Sequence, residues 1–474
     1  MNNTGFINNI KTFLIITGFC FASYSVLAQS SNTEYFMSSS FTNTSTNPAK
    51  RPEKGYIGIP GLTNMSLNFQ TNTLNLDHFL FPGVGEDGKT GWFLNKNVSY
   101  DDFMKNIASK NYMGINFDYT LFGMGFYVKD LFLSFDVSLR SNVGANIPKD
   151  IFGFVKSSLT AGENEEKIYD LSNLSVNGNV FSQLGIGASY PFLNQSLVLG
   201  AKVKILFGIA HTNFNLDNMR INISNDVWKV STQASGEMLL PTLQPEYDNT
   251  GKVNKFNNDG SFSLFNGSGL GLDFGATFVP GKIIDVAWLN KLTVSAAVTD
   301  IGFISWDKSK MTYLATHPKD VIVTGNYNIR VDESYDIFKD LGDAFNDAVA
   351  FYPTTTSNKT TSSLGAKMNW GVEYALLNGK LNTGFLNTLY FNPVKTISEF
   401  TVAGAYRPVG GIEVGLSYSF VHSNLGLALH LGNCFYIASD YAFPHVNSMF
   451  IPTTSQGLNF QFGFAIPIGK KRVS

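Results

Sequence analysis

The stretch Leu131 to Arg140, LFLSFDVSLR, places Leu131, Leu133, Phe135, Val137 and Leu139 at alternate positions, with Phe132, Ser134, Asp136, Ser138 and Arg140 between them. Successive side chains of a strand point to opposite faces, so this segment predicts a β-strand with one apolar face and one mainly polar face. About ten residues is also the length a tilted strand needs to cross the hydrocarbon core of a bilayer. The pattern recurs along the chain. Met65, Leu67 and Phe69 alternate with polar residues, as do Met113, Ile115, Phe117 and Tyr119, then Phe122, Met124, Phe126 and Val128. Further apolar faces run through Leu197 to Phe207, Leu270 to Phe278, Leu292 to Val298, Ala366 to Tyr374, Phe400 to Tyr406, Ile412 to Phe420 and Leu427 to Leu431. The last run, Leu458, Phe460, Phe462, Phe464, Ile466 and Ile468, supplies a terminal strand that can pair with the first and remove both sheet edges. The prediction is an all-β fold: a transmembrane antiparallel β-barrel of about 14 strands, within a range of roughly 14 to 18, with a few short helices in loops.

The interruptions divide the chain. Residues 1–28 read as a cleaved signal peptide: Lys11, an apolar run from Phe13 to Phe21, then Val26-Leu27-Ala28 before the cut. Residues 29–62 read as an extended N-terminal lead-in, running into the barrel or along its periplasmic rim. Residues 63–474 read as the barrel, located in the cell outer membrane. Tyr100 to Lys110 and Ile147 to Ala161 predict short helices. Near 332–351, Ile337, Phe338, Leu341, Ala344, Phe345, Ala348 and Val349 recur at helical spacing and predict a helical insertion. Asp248 to Gly260 is polar and turn-rich, as a surface loop is.

Composition narrows the function. The net charge is −2 and charged residues are 15% of the chain, so there is no basic excess to neutralise phosphates, and no nucleic-acid partner is expected. Beyond the leader no run of eighteen apolar residues occurs, which excludes spanning helices. Cleavage of the leader removes Cys20 and leaves Cys434, too few for a disulfide or a cysteine-rich metal site. The 44 glycines suit tight turns and crowded walls.

In a membrane barrel the apolar face meets lipid and the alternate face lines the lumen. The alternate positions carry Asp136, Arg140, Lys202, Lys204, Asp273, Glu373, Arg407 and Glu413, with both signs in similar number. Two readings stay open: an ion-pair network that holds the barrel's shape, or a polar pathway for a small solute. Catalytic chemistry is not indicated. His78, His211, His317, His422, His430 and His445 show no HExxH or paired spacing and read as loop or interface residues, no GxSxG box occurs, and the proximity of Ser417 and His422 in sequence is a faint hydrolase signal. Gly267-Ser268-Gly269 reads as a strand start rather than a nucleotide loop. No cofactor or metal is expected.

Several phrases resemble a family of uncharacterised outer-membrane β-barrels of Bacteroidota-type bacteria, a domain of unknown function: Asn47-Pro48-Ala49; Gly58-Ile59-Pro60-Gly61-Leu62; Pro148-Lys149-Asp150-Ile151-Phe152; Gly200-Ala201-Lys202-Val203-Lys204 with Gly208; and Thr299-Asp300-Ile301-Gly302 with Trp306. That family is similar in layout to fatty-acid-transporter-like barrels and to accessory barrels of type IX secretion, and its Asn-Pro-Ala box also opens a secretion-linked family. The resemblance implies outer-membrane lipid as surroundings, and either a hydrophobic or small amphipathic ligand or a secretion or surface protein partner. It assigns no site residues. Asp300-Ile301-Gly302 itself reads as a strand-end turn. Three hypotheses follow: a channel or transporter for such a solute, a non-enzymatic scaffold or accessory barrel with a plugged lumen, and a soluble secreted β-protein. The last separates from the others by where Trp370, Tyr374, Phe460 and Phe464 point, inward in a sandwich and outward in a barrel.

Overall fold

Fourteen strands follow one another around a ring. In chain order they are β1 (Asn64–Thr71), β2 (Lys110–Val128), β3 (Leu131–Pro148), β4 (Leu174–Phe192), β5 (Leu197–Ser224), β6 (Gly267–Phe278), β7 (Leu292–Trp306), β8 (Lys367–Leu376), β9 (Leu381–Phe391), β10 (Thr396–Val409), β11 (Ile412–Ser419), β12 (Asn424–Leu431), β13 (Phe435–Ser439) and β14 (Gly457–Ile468). Each pairs antiparallel with the next. Strand β14 also pairs with β1, Leu67 opposite Phe460, and this pairing closes a 14-strand antiparallel barrel. The computed structural model describes residues 32–474 except 86–87, 159–166, 225–226, 241–242, 259–262, 285, 317–318, 325–350, 355–360, 392–395, 422–423, 441–456 and 470–474. The leader at 1–28 and the helical positions Ile337 to Val349 lie outside the described residues.

The wall has the polarity of a barrel and not of a sandwich. On β6, Leu270, Leu272 and Phe274 face outward at 55%, 39% and 51% exposure, while Asp273 between them is at 0%. Trp370 is exposed, Tyr374, Phe460 and Phe464 are half-exposed, and their neighbours Glu373, Asn459 and Gln461 are buried. The soluble β-protein reading fails on this orientation.

The two ends differ. Turns at the end where β1 begins and β14 finishes are short, such as Lys129-Asp130 between β2 and β3 and Gly410-Gly411 between β10 and β11. Several use the left-handed region that a tight reversal demands: Lys129 at φ 53°, Asn378 at 54°, Gly411 at 90° and Asn433 at 55°. The opposite end, called distal below, carries the long connections. Strand β5 has 28 residues, roughly 90 Å at about 3.3 Å per residue. Its second half leaves β6 behind and pairs with an outer strand, Val227–Leu239, which in turn pairs with Thr312–Thr316 and Lys319–Thr324.

The distal end also carries both described α-helices, α1 (Tyr100–Met104) and α2 (Lys149–Ser158). Helix α1 starts where Ser99 accepts the Asp102 N–H, and it stops short of the predicted Lys110 because that residue already begins β2. Helix α2 starts at Lys149 rather than Ile147 because Ile147 and Pro148 stay in the β3 ladder. Phe103 of α1 and Phe152 of α2 pack with Phe79 and Phe93, mostly edge to face, with Phe93 and Phe103 stacked at 4.4 Å between ring centres. Among the described residues no helix is long and apolar enough to cross a membrane.

The lead-in is extended only in part. Glu34–Phe36 and Asn43–Ser45 form 3-10 turns, and Gly55–Gly58 adds a short strand against β2 and β14. The physical reason is the density of Ser, Thr and Asn, whose side chains bond the local backbone and favour turns over extended chain. Thr42 N–H donates to Ser40 Oγ, Asn43 Nδ2 to the Met37 carbonyl and Ala49 N–H to Asn47 Oδ1.

Candidate functional site: the filled lumen

Residues 32–53 form a folded plug seated on the inner wall, and the wall makes room for it with glycine. Gly200 of β5 and Gly275 of β6 are register partners. A Cβ on Gly200 would collide with the backbone of Pro48 and Ala49, and one on Gly275 with the Asn47 side chain. Asn47 Nδ2 reaches the carbonyls of Ala276 and Ala296, each at 3.4 Å. Gly384 lies under Phe36 and Gly415 under Thr33 in the same way. Tyr35, Phe36 and Met37 pack on Leu386 and on the small residues Ala405, Ala428 and Ala438 of that side of the wall.

Polar bonds hold the rest. Asp440 accepts the Asn32 N–H at 2.6 Å and the Thr33 hydroxyl at 2.5 Å. Glu413 accepts the N–H groups of Ser38 and Ser39 at 3.1 and 3.0 Å and pairs with Arg407 at 3.2 Å. Arg407 also pairs with Glu53 at 2.6 Å. Lys50 pairs with Glu373 at 2.6 Å and lies 3.6 Å from the centre of the Tyr35 ring. Burial lowers the Lys50 ammonium below the usual lysine value, against the opposing pull of Glu373. Glu34 accepts hydroxyl bonds from Ser40 and Thr42 and meets His430 Nε2 at 3.3 Å, where the imidazole stacks on Tyr436.

A second set of charges spans the wall from β2 to β8. The Arg140 guanidinium bonds both oxygens of Asp300, at 2.6 and 3.0 Å, and its Nε lies 3.2 Å from Asp118. Lys204 reaches Asp273 and Asp300, each at 2.6 Å. Lys202 pairs with Asp136, to which Gln183 also donates. Lys367 is 3.9 Å from Asp300. Arg140, Lys202, Lys204 and Lys367 thus face Asp118, Asp136, Asp273 and Asp300, a neutral set that buried charge requires.

The eight charges singled out in the sequence therefore fall into two groups. Asp136, Arg140, Lys202, Lys204 and Asp273 meet in the wall cluster, whereas Glu373, Arg407 and Glu413 hold the plug. Asp118 and Lys367 follow the same alternation and were legible by it. Asp300 was not. Strand β7 runs through Thr299 to Gly302 instead of ending there: a bulge buries both Thr299 and Asp300, sets Asp300 at φ 59° and flips the alternation beyond it. Lys50, Glu53 and Glu34 belong to the lead-in, where no alternation exists to read.

The remaining candidates resolve plainly. Ser417 is bound to the Thr33 hydroxyl at 2.5 Å, and His422 lies outside the described residues with His317 and His445. His211 and His430 are buried in the lumen rather than in loops: His430 by the alternation that places the charges inside, His211 because a bulge between Gly208 and Ala210 reverses the parity of β5. His211 stacks on Trp306, which fills the space beside Gly208. Among the described residues no group of three or more His, Cys, Asp or Glu is arranged to hold a metal. Between plug and wall lie cavities of about 70 and 10 Å³, and wall residues alone line a third of about 30 Å³. At roughly 10 to 15 Å³ per water, they hold from about one water to about seven.

Two substitutions test this architecture. Arg140→Met takes the cation from Asp118 and leaves Asp300 with Lys204 alone at bonding distance, and is expected to cost about 3–5 kcal/mol in urea unfolding, with Arg140→Met/Asp300→Asn recovering part of it. Equal unfolding midpoints for wild type and Arg140→Met would contradict the network. Gly275→Val overpacks the Asn47 seat by about 1–3 kcal/mol and is expected to speed trypsin cleavage after Lys50. An unchanged cleavage rate would show that the seat does not hold the plug.

The phrases Asn47-Pro48-Ala49, Gly200 to Lys204 with Gly208, and Thr299 to Gly302 with Trp306 are remote in sequence and converge at this one place. No match to this chain is found among curated proteins. Among solved structures it is similar to the TodX monoaromatic hydrocarbon channel in a deltaS2 mutant, with 10% identity over 94% of this chain and 96% of that one and a TM-score of 0.40. It is also similar to a Pseudomonas aeruginosa FadL homologue, with 12% identity, 93% and 97% coverage and a TM-score of 0.32. The CymD monoaromatic hydrocarbon channel gives 8% identity, 94% and 95% coverage and a TM-score of 0.32. A model described as "Family of unknown function (DUF5723)" matches residues 48–440, and the chain belongs to this family.

Proposed function

We propose that this protein is an integral outer-membrane β-barrel, exported through a cleaved leader, that passes a small amphipathic solute when its N-terminal plug shifts in the lumen. The observation that carries the membrane reading is the inverted polarity of a closed wall. Ile186, Val203, Leu270, Phe274, Leu416 and Ile466 stand exposed outside, while Asp273, Lys204, Glu413 and Gln461 are buried inside. Water does not reward that arrangement, and acyl chains do. The channel reading is supported by a plug that is seated rather than continuous with the wall, and by water-sized cavities beside it. Their lining is polar and charged, which favours an amphipathic solute over a purely apolar one.

A scaffold or accessory barrel for secretion or surface assembly is the second reading. It is favoured by the extent to which residues 32–53 fill the lumen.

Leu416→Arg, on the outward face, is expected to lower folding stability in lipid vesicles by about 2–4 kcal/mol if the site lies near the bilayer midplane. Release of the wild-type protein by carbonate washing of membranes would refute the membrane reading. For conduction, full-length protein in planar bilayers is expected to open rarely and Gly275→Val to open often. Absence of openings in both, together with unchanged uptake of small amphipathic solutes in a deletion strain, would remove the channel reading. A stable protein partner recovered in mild detergent would then favour the scaffold.

A further inference from the structure

The distal cavity differs from its neighbour in charge. The cavity under the plug is lined by the whole wall cluster, carboxylates included. Among the described residues, the distal one has Arg140 and Lys367 as its only charged lining residues, set among the amides of Asn116, Asn142 and Asn179 and the phenol of Tyr390. No carboxylate of the described residues lines it. Arg140 is committed to both oxygens of Asp300, so it contributes field but few free donors. Lys367 is different. Its nearest carboxylate oxygen is 3.9 Å away, beyond hydrogen-bond reach, and its side chain is 18% exposed against 8%, 8% and 4% for Arg140, Lys202 and Lys204. It also lines all three lumen cavities, which places its ammonium at their junction. Asn179 commits its amide oxygen to Ser362 and His211, which leaves its NH₂ group to donate.

We infer that the distal cavity is a binding site for a compact oxyanion, with the Lys367 ammonium meeting its charge and the surrounding amides donating to its oxygens. Three N–H donors on a compact charge suit such a ligand, and a low-dielectric wall strengthens the attraction. A cation is disfavoured on the same grounds. A volume of about 30 Å³ matches the displacement of two or so waters by an anion's oxygens. The inference concerns binding alone, so it can fail while the barrel conducts, and hold if it does not.

The test is calorimetric titration of full-length protein in detergent with inorganic phosphate and, separately, acetate, at constant ionic strength in chloride. Saturable binding of at least one is expected. Lys367→Gln should weaken it about tenfold or more, and Lys367→Arg should retain most of it. Lys255→Gln, in a separate hairpin of Leu243–Tyr247 and Val253–Asn258 where Lys255 pairs with Glu246, should change nothing. Tighter binding of phosphate than acetate would identify the polyoxo ligand, and the reverse the carboxylate. If Lys367→Gln fails to fold, Asn116→Asp takes its place, because a carboxylate in the cavity must repel the same ligand. No saturable binding of either anion, or wild-type affinity in the folded variant, overturns the site.

Discussion

A sheet that returns to itself has no unpaired edge, and everything else in this molecule follows from that closure. Once β14 bonds β1, the wall satisfies its own backbone groups and needs no water to do so. Each strand is then free to present one face outward and one inward, and the sequence assigns oil to the first and charge to the second. Without closure the same alternation would leave a long apolar sheet in water, a template for aggregation.

Inward-facing charge creates its own constraint. Four cations and four carboxylates between β2 and β8 lie where solvation is poor, so each depends on its partners for compensation. The bulge at Asp300 is how the wall meets that demand. It pushes one extra side chain inward, where Asp300 bonds Arg140 and Lys204 together while its own N–H donates to Asp273 at 2.8 Å. A regular strand would have turned Asp300 to the outer face and left two cations short of a carboxylate.

The plug depends on the same wall. Its polar turns are too short to fold as an isolated core, so it takes its shape from the surface it sits on. Glycines set the depth of the seat, and Glu373, Glu413 and Asp440 supply acceptors at its margins. The result is a lumen that is filled yet lined by hydrogen bonds, with water-sized spaces next to the least committed cation, Lys367.

The amino-acid order by itself determined most of the strands, which of their faces is oily, and the closing role of Leu458 to Ile468, because a period of two survives in any regular strand; it splits β2 in two where the structure carries one strand through a bulge between Thr120 and Phe122, and it does not single out β9 or β13. It also determined which wall charges face inward on β3, β5, β6, β8, β10 and β11, and by the same parity Asp118. What only the tertiary structure decided is how those charges divide. Glu373, Arg407 and Glu413 bind a plug whose turns carry no periodicity, and Asp300 joins Arg140 across 160 positions through a bulge that breaks the alternation. Parity tells which way a side chain points within its own strand. Who meets it across the lumen depends on strand stagger, bulges and the depth of a glycine seat, and these are properties of the closed ring.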